Sequence, residues 1–180
     1  MKATMTPDHE LMSGIRDGSQ QAFAELYRRY KTRLYQYALS LLRSRELAED
    51  VLHDVFLSLV TRADRGLVPG SVSPYLYAAV RNRSFDLLKK KTEVSSDHID
   101  PELVAAMPDD LERIERRQLV DRMLFSLPVD QREVIVLRIY HDLAFSEIAA
   151  IQQTSVNTSL SRYQYGINRL RKEFNAHGTA

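Results

Sequence analysis

Large apolar residues return every three or four positions over most of this chain, and the places where that rhythm stops divide it. Phe23, Leu26, Tyr27, Tyr30, Leu34, Tyr37, Ala38, Leu41 and Leu42 keep the period of an amphipathic helix. Ser19 stands just before them as a cap candidate, because its hydroxyl can accept an orphan N–H of the first turn. Ser44 opens a second such stretch. Leu47, Val51, Leu52, Val55, Phe56 and Leu59 line its apolar side, and Glu49, Asp50, His53 and Asp54 fall off it. Two glycines and Pro69 make the stretch Asp64–Ser73 a loop. Ser73-Pro74 then predicts an N-cap followed by proline at the first helical position. That helix runs through Tyr75, Leu76, Ala79, Val80, Phe85, Leu87 and Leu88 to the lysines at 89–91. A shorter helix, capped by Asp8, is expected to end at Gly14 or Gly18.

After Lys91 the period is lost. Ser95, Ser96, Pro101 and Pro108 interrupt a stretch rich in acids, with room for one helical turn around Glu102–Ala106. Periodicity resumes at Leu111 and runs to about Ser126, where Leu127-Pro128 breaks it. A further helix carries Val134, Ile135, Leu137 and Ile139. The chain then reads as a short helix, a polar turn and a longer helix between Asp142 and Lys172. No strand pattern and no internal repeat is present. The predicted fold is all-α: two small helical domains, 1–92 and 111–175, joined by an acidic flexible linker, 93–110.

The last helical pair carries the first chemical hint. Phe145, Ile148, Ala149 and Ile151 can face a core, and Ser155 is placed to cap the helix that follows. Val156, Leu160, Ile167 and Leu170 are expected to hold its inner side. Asn157, Thr158, Ser161, Arg162, Gln164 and Tyr165 are left largely on another. Small hydrogen-bonding groups in the first half of such a helix suit base edges in a major groove. Arg162, Arg169, Arg171 and Lys172, with no acid among them, suit phosphates. This is the pattern of a helix-turn-helix whose second helix reads DNA. An ordinary helical pair with a solvated basic face fits the pattern equally well.

Charge sharpens the picture. The 180 residues carry a net charge of only +1. Between Arg81 and Lys91, however, five basic residues face one acid, and between Asp97 and Glu115 seven acids face one basic residue. Two basic helices separated by an acidic tether suggest two contacts with nucleic acid. A basic helix end that complements the helix dipole accounts for Lys89–Lys91, but not for Arg81 and Arg83 in mid-helix. The absence of cysteine excludes a disulfide scaffold and thiolate metal sites, and fits a reducing cytoplasm. The five histidines show no ligand spacing, and no cofactor is expected. No run approaches a membrane span or a signal peptide, so a cytoplasmic protein without membrane insertion is expected.

Three segments together resemble one family. DGSQQAFAELYRRYKTRLYQYALSLLRSRELAEDVLHDVFLSL is similar to the start of sigma domain two. SPYLYAAVRNRSFDLLKKK is similar to the promoter-melting helix of that domain. SLPVDQREVIVLRIYHDLAFSEIAAIQQTSVNTSLSRYQYGINRLRK is similar to sigma domain four. In this order and spacing they resemble the small bacterial sigma factors of the extracytoplasmic-function (ECF) type, from about Asp17 to Lys172.

The resemblance implies a non-enzymatic subunit that binds core RNA polymerase and directs it to promoters. It points to Glu49, Asp50, His53, Asp54 and Phe56 as the surface that docks on the clamp helices of the polymerase. Tyr75, Arg81, Asn82, Arg83 and Asp86 would meet the minus-ten element. Asn157, Thr158, Ser161, Arg162, Gln164, Tyr165 and Arg169 would meet the minus-thirty-five element, with domain four resting on the polymerase flap. An anti-sigma factor is a further candidate partner, and the free protein is expected to be a monomer. The sequence departs from the family at Leu160, where a basic residue is common, and at Gln153 and Asn157, where glycine is common. Ala144 replaces the usual Ser/Thr cap, so the capping box with Glu147 is expected to be lost. Two other readings compete: a helix-turn-helix regulator that never engages polymerase, and a nucleic-acid enzyme using Asp50, His53 and Asp54 as metal ligands.

Overall fold

The computed structural model describes residues 6–66, 70–94 and 119–177. The chain divides into two compact units, Met1–Ile99 and Asp100–Ala180. Among the described residues all regular structure is helical. The expected acidic linker falls outside them from residue 95 onward. So do the turn at 102–106 and the start of the helix expected at 111.

The first unit holds α1 (Asp8–Arg16), α2 (Gln20–Leu42), α3 (Arg45–Asp64) and α4 (Val72–Val94). The long α2 is central and packs against the other three. Leu26, Leu34, Tyr37, Leu59, Leu76 and Tyr77 are fully buried between them, and the Tyr37 and Tyr77 rings lie 5.4 Å apart. Burial of each large apolar side chain contributes about 1.5–3 kcal/mol. Two serines start their helices as expected. Ser19 Oγ accepts the Ala22 N–H at 3.2 Å, and Ser44 Oγ accepts that of Leu47 at 3.3 Å. Arg43 closes α2 in the left-handed region, φ 53°, a conformation that costs a non-glycine residue about 1–2 kcal/mol. Gly14 lets α1 approach α2: a Cβ there would stand 2.8 Å from that of Ala22.

Two expected helix starts are corrected. Pro7, not Asp8, is the N-cap of α1. Asp8 sits in the first turn, and its carboxylate pairs with Arg29 and accepts the Tyr30 hydroxyl, tying α1 to α2. Burial, and then that carboxylate, push the Tyr30 phenol well above its usual pKa. Helix α4 begins at Val72, so Ser73 and Pro74 lie inside its first turn. Proline is tolerated there because first-turn N–H groups have no helical partner.

The second unit holds the helical residues 119–125 (α5), α6 (Val129–Ile139), α7 (Phe145–Gln152) and α8 (Val156–His177). Helices α6, α7 and α8 pack on one another around Val134, Ile135, Leu137, Ile148 and Ile151. Gln153, at φ 53°, turns the chain from α7 toward α8, and Ser155 Oγ caps α8 by accepting the Thr158 N–H at 3.0 Å. A left-handed residue just past a helix end is the ordinary way to satisfy its last carbonyls. Ala144 offers no side-chain acceptor, yet half of the capping box survives. The Glu147 carboxylate still accepts the Ala144 N–H at 2.8 Å.

The inner side of α8 differs from the expected one. Val156 is 45% exposed and Leu160 38%. The residues turned inward are Ser159 and Gly166, with Tyr163, Ile167 and Leu170 half-buried. A Cβ on Gly166 would stand 2.7 Å from Ile135 Cδ1, so the small residue permits the close crossing of α6 and α8. Periodicity of large apolar residues cannot reveal a seam built from serine and glycine.

Candidate docking face and nucleic-acid interface

On α3 the buried stripe of Val51, Leu52, Val55, Phe56 and Leu59 turns Glu49, Asp50 and His53 outward, all exposed. These three border a groove of about 960 Å³ between α2 and α3, whose walls include Phe23, Tyr27, Lys31 and Tyr35. Phe56 was expected among the docking residues. It is only 3% exposed, with its ring edge-on to Tyr27 at 4.8 Å and to Phe23 at 6.1 Å. It therefore forms the floor of the groove rather than a projecting anchor. The projecting apolar residue is Leu57, 58% exposed. The signal for it was present in the sequence: Asp50, His53 and Leu57 fall at i, i+3 and i+7, one helix face.

Asp54 turns the other way. Its carboxylate holds Arg83 of α4, with Oδ2 at 2.9 Å from Nε and 2.6 Å from Nη2. The structure thus joins a residue expected at the docking face to one expected at the minus-ten element. Both side chains remain more than two-fifths exposed. Beside them lies a groove of about 630 Å³ lined by Ser58, Thr61, Arg62, Arg65 and Ala79 as well as the pair. The sequence pattern does not mark Arg62 and Arg65 as part of this site. They lie at the C-terminal end of α3, where basic residues complement the helix dipole, and this hid their place beside Arg83.

Along α4, Asn82 and Asp86 are exposed, and Ser84 between them is buried. The Arg81 guanidinium lies 4.6 Å over the Phe85 ring, and that of Arg62 lies 5.7 Å over Tyr75. Tyr75 is half-buried. From Val72 to Asp86 the exposed polar residues of α4 are Asn82, Arg83 and Asp86, with Arg81 at their edge, and Lys89 and Lys90 are exposed further along.

On α8, Asn157, Thr158, Ser161, Gln164, Tyr165 and Arg169 are all exposed. Tyr165, 68% exposed, presents an aromatic surface. Arg162 does not join them. Its guanidinium donates to Asp130 at 2.8 Å and to the Gln152 side chain at 3.0 Å, both within its own unit. Tyr163 instead packs edge-on to Phe145, centroids 5.4 Å apart. Among the described residues no three His, Asp or Glu side chains gather as a metal-binding group. No helix among them is long and apolar enough to cross a membrane.

An all-helical pair of units, one ending in a helix-turn-helix and the other carrying an acidic face and a basic helix, defines a DNA-binding protein of two modules. Residues 26–94 match the family Sigma-70 region 2, and residues 117–170 match Sigma-70, region 4. The RNA polymerase sigma factor CarQ of Myxococcus xanthus is 32% identical over 167 residues, covering 89% of this chain and 94% of that protein. The ECF RNA polymerase sigma factor SigW of Bacillus subtilis is 27% identical over 172 residues, covering 88% and 92%. Among solved structures, CnrH in complex with the cytosolic domain of CnrY shares the fold, with a TM-score of 0.72 at 23% identity over 94% of this chain and 97% of that one. So does the sigma factor RpoE bound to the anti-sigma factor NepR from Bartonella quintana, with a TM-score of 0.65 at 23% identity, covering 85% and 96%. The chain belongs to the ECF RNA polymerase sigma factors. It is a subunit that binds core RNA polymerase and directs promoter-specific initiation, not a regulator working apart from the polymerase.

Proposed function

We propose that each surface has its own partner in the initiating complex. The α2–α3 face, with Glu49, Asp50 and His53 around the exposed Leu57, docks on the clamp helices of the polymerase. Phe56 supports it from below, while Asp54 faces Arg83 of α4. An acidic rim around an apolar groove suits a basic amphipathic helical partner. The outer face of α4 meets the minus-ten element, with Asn82 toward base edges and Arg81 and Arg83 toward phosphates. Tyr75 and Asp86 flank that contact. Asn157, Thr158, Ser161, Gln164 and Tyr165 of α8 meet the minus-thirty-five element, with Arg169 on the backbone, and this domain rests on the flap.

The domain limits that fit these roles are 1–92, 93–110 and 111–175. The protein works in the cytoplasm, free as a monomer, and needs no cofactor or catalytic group of its own. An anti-sigma factor is a candidate partner for the same surfaces, by analogy with the RpoE–NepR pair.

The observation that carries this reading is the juxtaposition on α3 and α4. An outward acidic face on α3 and an outward Asn-Arg face on α4 are carried by two helices packed against each other. The test adds the protein to core polymerase and follows run-off transcription from genomic fragments. Promoter-specific transcripts that need both components are expected. Asp50→Ala with Leu57→Ala should weaken core binding at least about tenfold, or 1.4 kcal/mol, in a folded protein. Unchanged core affinity in that variant would remove the docking assignment.

A further inference from the structure

Arg162 lies in mid-helix on α8, and its guanidinium is turned back onto its own domain. Nη2 donates to Asp130 Oδ2 and Nη1 to Gln152 Oε1. Gln152 is itself fixed. Its amide nitrogen donates to Glu133 Oε2 at 2.7 Å and to the Asp130 backbone carbonyl at 3.2 Å. Gln152 is 5% exposed and Glu133 1%. With both amide hydrogens directed at α6, the carbonyl of Gln152 is left facing α8, where only a donor satisfies it. Arg162 is that donor. One network therefore joins α6, the last residue of α7 and the middle of α8.

A guanidinium held this way is withheld from phosphates. Turning it to DNA would strand a buried amide carbonyl and release Asp130, and buried polar groups are costly to leave unpaired. The exposed residues of α8 from Asn157 to Tyr165 are all neutral. Such groups discriminate between bases without adding sequence-independent attraction for the backbone. Each phosphate left without a cation lowers affinity for any DNA and flattens its salt dependence.

We propose that Asp130, Gln152 and Glu133 form a latch that holds Arg162 off the DNA backbone, which makes them positioning residues for promoter discrimination. The proposal rests on the reading that α8 meets the minus-thirty-five element. Opening the latch should give α8 one more phosphate contact. Binding then becomes tighter on non-promoter DNA and less selective on promoters.

The test uses full-length protein in holoenzyme, bound to a promoter found by run-off transcription, to single-pair variants of its upstream element and to non-promoter DNA, at several salt concentrations. Asp130→Ala is the first variant, because Asp130 is partly exposed in the first turn of α6 and its loss leaves the core intact. Its slope of log affinity against log salt should steepen by about one, with upstream discrimination falling severalfold. Adding Arg162→Gln to Asp130→Ala should return the slope to that of the wild type. Gln152→Ala should steepen the slope in the same direction. A network that only stabilises the fold would weaken binding to every DNA alike, with no steeper slope and no reversal by Arg162→Gln, and that result overturns the proposal. So does a slope shallower by about one in Arg162→Gln alone, which means that Arg162 already neutralises a phosphate. If the wild-type holoenzyme ignores the upstream variants altogether, the reading of α8 fails, and the latch fails with it.

Discussion

Arg83 on α4 and Arg162 on α8 sit on the two helices expected to meet DNA, and each is paired with an aspartate from a neighbouring helix. The pairs differ in what lies behind the carboxylate. Asp54 holds Arg83 at the rim of an open groove, with both side chains more than two-fifths exposed. An exposed pair of this kind contributes about 0–1 kcal/mol, and water or a phosphate can replace the carboxylate with little loss. Asp130 holds Arg162 together with Gln152, and Gln152 is bonded in turn to the buried Glu133. Breaking that arrangement leaves buried polar atoms unpaired. Similar side chains on similar helices thus have different availability, and the second layer of hydrogen bonds decides it. Arg83 is poised to exchange partners, whereas Arg162 belongs to the frame that sets α8.

The largest expected effect separates floor from rim on the docking face of α3, the helix that also carries Asp54. Phe56→Ala should destabilise the first domain by about 3–5 kcal/mol, because it empties a packed aromatic cluster. Leu57→Ala should stay within about 0.5 kcal/mol of wild type in stability and be detected only as lost polymerase affinity. Thermal unfolding by circular dichroism, run beside core-binding titrations, distinguishes the two. The reverse order of stabilities would put Phe56 outside the core.

Gln164→Ala should leave stability and salt slope unchanged and remove about 1–3 kcal/mol of discrimination at one upstream base pair. Binding of holoenzyme to single-pair variants measures it, and an unshifted preference would place Gln164 off the base edges. Asp54→Asn should change unfolding by no more than about 1 kcal/mol. A markedly larger loss would mean that Arg83 is as firmly framed as Arg162, and the contrast between the two would disappear. The smallest effect belongs to the turn. Gln153→Gly removes a left-handed strain of about 1 kcal/mol and should stabilise domain four by that much at most. Promoter preference should not change, since the network rather than the turn residue holds α8.

Much of the fold was legible because it follows from one-dimensional signals. The 3.6-residue period over α2 and α3, and the serines at 19 and 44, mark helices whose packing the structure bears out. Where the sequence misled, the cause lay in geometry that a single period does not carry. Phe56 stands one position from the exposed Leu57, so a family motif blurs floor and rim. Val156 and Leu160 are apolar but half-exposed, because Ser159 and Gly166 occupy the inner seam. Arg62 and Arg65 become part of a basic groove only when α3 lies beside α4. The hold on Arg162 was not visible at all: Asp130 and Gln152 lie 32 and 10 residues from it in sequence, and nothing in their local pattern links them. The repeating pattern marks which helix presents polar groups, but not which of those groups the protein keeps for itself.

The difference between the two arginines is tested most directly by comparing the salt dependence of promoter binding for holoenzymes carrying Arg83→Ala and Arg162→Ala. Arg83→Ala should lower the slope by about one, the loss of a single phosphate contact, while Arg162→Ala should leave the slope in place and reduce the stability of domain four. Equal losses of slope in both variants, or a loss confined to Arg162→Ala, would contradict the account.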